Sequence, residues 1–119
     1  MTGTVQNNII TVRQGDSFVI NISVMQEGKT VDLTGATLLM QVREKDSGSL
    51  VFEVNGTPVD VQNGKMALLI TPDMTETQNI GEYVTDIQLT GADGSVNTIF
   101  PSDVNKVAIF RITEQVTEV

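Results

Sequence analysis

From Ser17 to Val24 the chain alternates strictly: Phe18, Ile20, Ile22 and Val24 fall on one side, Ser17, Val19, Asn21 and Ser23 on the other. A period of two puts successive side chains on opposite faces of a strand, so this stretch folds as a half-buried β-strand or not at all. The pattern then repeats. Leu38, Met40 and Val42 alternate with polar partners between Ala36 and Glu44, and Phe52 and Val54 share a face between Leu50 and Val54. Each run ends in turn residues: Gln14-Gly15-Asp16, Glu27-Gly28, Thr34-Gly35, Lys45–Ser49, Asn55-Gly56, Asn63-Gly64 and Gly91–Ser95. Asparagine and glycine tolerate the left-handed backbone region, and a turn signal roughly every ten residues is the spacing of a β-sandwich. Val, Ile and Thr, which suit a pleated, half-buried surface, supply about a third of the chain.

The strands predicted in order are Asn8–Val12, Ser17–Val24, Ala36–Glu44, Leu50–Val54, Val59–Val61, Met66–Ile70, Gly81–Leu89, Val96–Phe100 and Lys106–Thr113, with Val31–Gly35 a short edge and turn ahead of the third. Residues 1–7 are small and polar and read as a loose N-terminal arm. Asn63-Gly64 reads as a two-residue hairpin turn, and Phe18 as a core anchor. In the last strand Val107 and Ile109 compete with Ala108, Phe110 and Ile112 for the inner face, which calls for burial on both faces or a bulge. Met25, Met40, Met66 and Met74 read as core or corner filling.

The segment from Thr71 to Leu89 sets the architecture. Thr71-Pro72 opens a short helical turn near residues 72–77, with the Thr71 hydroxyl as its cap. Gly81-Glu82-Tyr83 then starts a new strand, and Tyr83 is the sole tyrosine. A strand, a tight corner and a Gly-x-Tyr opening are how an immunoglobulin-like sandwich passes from one sheet to the other, with the phenol bonded back to the corner. The fold expected is therefore all-β: an immunoglobulin-like β-sandwich of seven to nine antiparallel strands, with one short helical turn. No repeat, linker or composition break divides residues 1–119, so a single domain is expected.

Composition removes most catalytic toolkits. The chain has no histidine and no cysteine, hence no Ser-His-Asp triad, Cys-His dyad, disulfide frame or ordinary zinc site. No catalytic, cofactor-binding or metal-binding residue is assigned, and no cofactor is expected. Eight aspartates and seven glutamates offer carboxylate pairs, but nearly all lie in turns or at outward strand positions. The loop acids Asp46 (with Ser47), Asp93 and Asp103 are the candidates for calcium, and turn chemistry accounts for each without a metal. A net charge of −8 repels nucleic-acid backbones and anionic lipid, so neither nucleic acid nor membrane is expected as a partner. Met1-Thr2-Gly3-Thr4-Val5 lacks the basic and apolar regions of a secretory signal, which predicts synthesis in the cytoplasm without a signal peptide.

Three segments carry a family resemblance. They are Thr11-Val12-Arg13-Gln14-Gly15-Asp16-Ser17-Phe18; Val31-Asp32-Leu33-Thr34-Gly35-Ala36-Thr37 leading into Gln41-Val42-Arg43; and Gly64–Leu68 followed by Thr71-Pro72 and Gly81–Gln88. In this order and spacing, from about Ile9 to Thr113, the chain resembles the immunoglobulin-like domain at the N-terminus of phage baseplate upper proteins and in small prophage tail proteins. The resemblance implies a virion structural protein of a phage or prophage tail or baseplate. It would act by protein–protein contact with tail or baseplate proteins or as a homo-oligomer, and it brings no catalytic residues. The chain departs from the longer members in ending at Val119 without a heptad segment or receptor-binding head. The alternative is a carbohydrate-binding or adhesin-type sandwich, which would need exposed rings, with Phe100 beside Pro101 the aromatic least committed to the core. A small carboxylate hydrolase is the third class.

Overall fold

The computed structural model describes residues 3–101 and 105–114. Twelve strands run in order: β1 (Gly3–Gln6), β2 (Ile9–Arg13), β3 (Phe18–Ser23), β4 (Met25–Gln26), β5 (Lys29–Thr30), β6 (Thr37–Arg43), β7 (Leu50–Asn55), β8 (Thr57–Asp60), β9 (Lys65–Ile70), β10 (Gly81–Thr90), β11 (Val96–Phe100) and β12 (Ala108–Thr113). One helical turn, α1 (Pro72–Thr75), lies between β9 and β10.

The large sheet has the order β1-β2-β12-β10-β6-β7. Its spine is β10, ten residues long. On one side β10 pairs with β6 from Val84 to Thr90. On the other it pairs first with β12 (Gly81–Thr85) and then with β11 (Ile87–Thr90). The opposing layer is smaller, with the order β3-β9-β8, and β4 and β5 form a separate two-stranded hairpin. Inward residues of both layers make the core. Ile10, Val12, Leu38, Met40, Val42, Ile87, Phe110 and Ile112 come from the large sheet, and Ile20, Met66, Leu68 and Ile70 from the small one. Phe52 meets Phe110 edge-on, with ring centroids 5.4 Å apart, a geometry that aligns the positive ring edge with the negative face.

The β-sandwich stands, with local differences that have physical causes. Residues 3–6 are not a loose arm but a strand paired with β2. Asn7 and Asn8 both take positive φ (54° and 63°), the left-handed pair that closes a tight hairpin and matches the twist of its strands. β12 runs parallel to β2, so not every pairing is antiparallel. The last strand resolves cleanly: Ala108, Phe110 and Ile112 are buried while Val107 is exposed, with neither double-sided burial nor a bulge. Phe18 is only half-buried, packed at the margin of the core, because β3 is the edge of the small sheet. Met40 and Met66 are core residues and Met74 packs against them, but Met25 is exposed.

Two glycines shape the chain where the layers meet. Asn55-Gly56 is not a hairpin turn: β7 lies in the large sheet and β8 in the small one, and Gly56 is the switch. Its N–H donates to the Leu38 carbonyl at 2.7 Å, and a Cβ there would stand 2.6 Å from Leu38 Cβ. The β8–β9 connection is longer than two residues. A 3₁₀ turn over Val61–Asn63 ends on Gly64 at φ 75°, where a Cβ would meet the Val24 and Val31 carbonyl oxygens at 2.6 and 2.9 Å. Val31–Leu33 is irregular rather than a strand.

Candidate interaction surface

The corner between the layers is pinned by Tyr83. Its ring is 9% exposed, and its hydroxyl donates to the Asn79 carbonyl at 2.6 Å. Burial, with a smaller contribution from the Glu44 charge, raises the Tyr83 pKa above its ordinary value. Thr71 does not cap α1 through an accepted N–H; its hydroxyl instead donates to Asp73. The corner is tied to the β2–β3 turn by a pair of bonds that no sequence motif marked. Fully buried Thr75 accepts the Gly15 N–H at 2.9 Å, and Gln14 Nε2 donates to the Gln78 carbonyl at 2.7 Å. Tyr83 is thus a fastening inside the fold and not a binding residue on its surface.

The outer face of the large sheet has no layer over it among the described residues. Registers set Ile9, Ile109, Val84 and Arg43 in one cross-strand row. A parallel row runs Thr11, Arg111, Glu82, in which Arg111 donates twice to Glu82 Oε2, at 2.6 and 3.2 Å. Lys45 Nζ adds a contact to Glu82 at 3.6 Å. The Arg111 bonds hold the Glu82 carboxyl below the usual range. Asp86 and Gln88 are half-buried on this face, with Asp86 beside Gln41 and Gln41 beside Glu53.

The candidate calcium residues do not converge. Asp93 closes its own turn by accepting the Ser95 N–H and hydroxyl at 3.0 and 2.7 Å, and these bonds lower its pKa. Ser47 donates to Glu44, Asp46 is exposed, and Asp103 lies outside the described residues. Among the described residues no group of three or more acidic side chains could hold a metal ion, and no helix is long and apolar enough to cross a membrane.

A groove of about 720 Å³ lies between the β3 edge and the large sheet. Phe18, Ile20 and Ile22 form one wall, and Ile10, Ile87 and Ile99 lie opposite. No charged side chain lines it. None of the five aromatic side chains is exposed: Tyr83 and Phe110 are buried, and Phe18, Phe52 and Phe100 are half-buried.

A model of the BppU N-terminal domain matches residues 1–99. The chain belongs to this family of phage baseplate upper protein N-terminal domains. It is a baseplate-associated phage module with an all-β fold. Among solved structures, this BppU-type domain is similar to the N-terminal domain of phage TP901-1 ORF48, with a TM-score of 0.52 at 14% identity over 90% of this chain and 84% of that one. That similarity concerns the fold. It also aligns with CopC from Methylosinus trichosporium OB3b (TM-score 0.46, 13% identity, 92% and 87% covered) and with murine CRIg (0.43, 12%, 97% and 99%). No curated protein sequence matches the chain.

Proposed function

We propose that this BppU-type domain is a non-enzymatic docking module, held in a phage tail or baseplate by protein–protein contact. The observation that carries the reading is the chemistry of the groove beside β3: mostly apolar walls, and no charged side chain in its lining. A groove of that kind excludes water and accepts another polypeptide, but offers no acid, base or nucleophile to a bound substrate. The family match supports the setting. The carbohydrate-binding alternative draws little support from the aromatics: Phe18 and Phe100 line the groove, but both are half-buried and none of the five rings is exposed.

Quantitative mass spectrometry on gradient-purified particles, separated into heads and tails, tests the reading. The expected result is the chain in fixed stoichiometry with tail proteins. Its absence from tails, or recovery only in the soluble fraction, would overturn the assignment.

A further inference from the structure

An exposed strand edge offers unpaired N–H and C=O groups to any extended chain, so proteins blunt such edges with proline, charge, bulges or short length. Most edges of this molecule are blunted in those ways. β8 carries Pro58 and Asp60 and slips register between them. β7 carries Glu53, and its pairing with β6 slips at Val42/Arg43. β11 slips against β10 and is followed directly by Pro101. β1 is four residues long. The exception is β3, with the sequence Phe-Val-Ile-Asn-Ile-Ser: six residues, no proline, no charge, and an unbroken register with β9.

Among the described residues β3 pairs only with β9, so its other edge is open. Its orientation follows from one bond. Val24 N–H donates to the Gly64 carbonyl at 2.9 Å on the β9 side. Strand alternation then turns the amides of Ile22, Ile20 and Phe18 toward β9 and those of Val19, Asn21 and Ser23 outward. Val19, Asn21 and Ser23 are among the residues that line the groove. A free edge above an apolar floor is the arrangement that receives an added strand: backbone bonds give affinity, and alternate side chains fill the groove.

Building on the docking reading, we propose that the β3 edge is the receptor for an extended segment of a partner protein, added as a further strand to the small sheet. Six residues at about 3.4 Å each give a site of roughly 20 Å. The uncharged groove requires apolar residues at alternate positions of the segment. Charge selects against a second copy of this chain, because each copy carries −8. The ends of the edge carry mixed charge, Asp16 with Arg13 and Glu27 with Lys29, so it is the net charge of −8 that favours lysine or arginine on the flanks of the segment.

The test uses the intact chain and a labelled synthetic peptide of alternating valine and threonine with lysines at both ends. A second peptide is identical except for N-methylation at the alternate amides that would face β3. Fluorescence anisotropy should show saturable binding of the first peptide and at least a tenfold loss for the second. Hydrogen exchange at saturation should slow at Val19, Asn21 and Ser23 and stay unchanged at Ile20 and Ile22. Absence of saturable binding, equal affinity of the two peptides, or protection along β7, β8 or β11 instead would each overturn the proposal. So would a dimer in sedimentation that protects the same amides without peptide, since a second copy would then be the occupant. A chain present in tails but indifferent to the peptide loses only this inference. A chain absent from tails loses the docking reading and leaves the peptide result standing.

Discussion

Replacing Tyr83 by phenylalanine isolates the hydroxyl that fastens the corner. Phenylalanine keeps the ring that is 9% exposed and removes only the bond to the Asn79 carbonyl at 2.6 Å. A neutral hydrogen bond contributes about 0.5–1.5 kcal/mol net. Asn79 is exposed, so water can reach its carbonyl in the variant, which keeps the loss near the middle of that range, at about 1 kcal/mol. For a chain of this size that is a fall of about 4 °C in Tm. Urea unfolding must be followed by circular dichroism, since Tyr83 is the sole tyrosine and tryptophan is absent. The midpoint should drop with the slope unchanged. The alkaline arm is sharper. The folded pKa of Tyr83 is raised, so from about pH 10 upward the unfolded wild type loses its phenolic proton while the folded state keeps it. The unfolded state then binds fewer protons, and wild-type stability falls as pH rises through that window. Tyr83→Phe lacks this drain and is otherwise identical in sequence. The gap between them should therefore close above pH 10. A gap absent at neutral pH, or one that widens with pH, would refute the reasoning.

Gly64→Ala should destabilise by at least about 2 kcal/mol in the same assay, because a positive φ is compounded by carbonyl oxygens at 2.6 and 2.9 Å. Gly28→Ala, at φ 78° with nothing within 4 Å, should cost only about 1 kcal/mol; equal losses would mean that crowding contributes nothing. Phe110→Ala removes a ring with 0% exposure and should cost about 3–5 kcal/mol, whereas Phe18→Ala at the sheet margin should cost distinctly less. Arg111→Gln should move the Glu82 carboxyl back toward its ordinary pKa in an NMR titration, since the Arg111 bonds are the main cause of its depression. The stability this depressed carboxyl contributes is present above its unfolded pKa and is lost as pH falls through the folded value. The variant should therefore show a shallower acid decline.

Much of the architecture was legible as pattern. Alternation located β3, β6 and β7 because a half-buried strand leaves a period of two in the sequence, whatever lies opposite. Gly81-Glu82-Tyr83 marked the sheet crossing because a single phenol does local work, reaching four residues back to Asn79. Local signals also misled where two structures share one signature. Asn55-Gly56 and Asn63-Gly64 are alike in composition, yet the first is a sheet switch under Leu38 and the second the end of a 3₁₀ turn.

Along the chain, sequence determined what each segment could be: strand, turn or corner, and a molecule without the residues for thiol or imidazole chemistry. Only the tertiary structure decided which strands became edges. Phe18 and Phe110 look equally apolar in sequence, but β3 borders a three-stranded layer while β12 lies between β2 and β10, so one ring is half-buried and the other sealed. Neighbours set that outcome. Burial and the pairing of backbone groups depend on what another part of the chain places alongside a strand, and no local pattern encodes that.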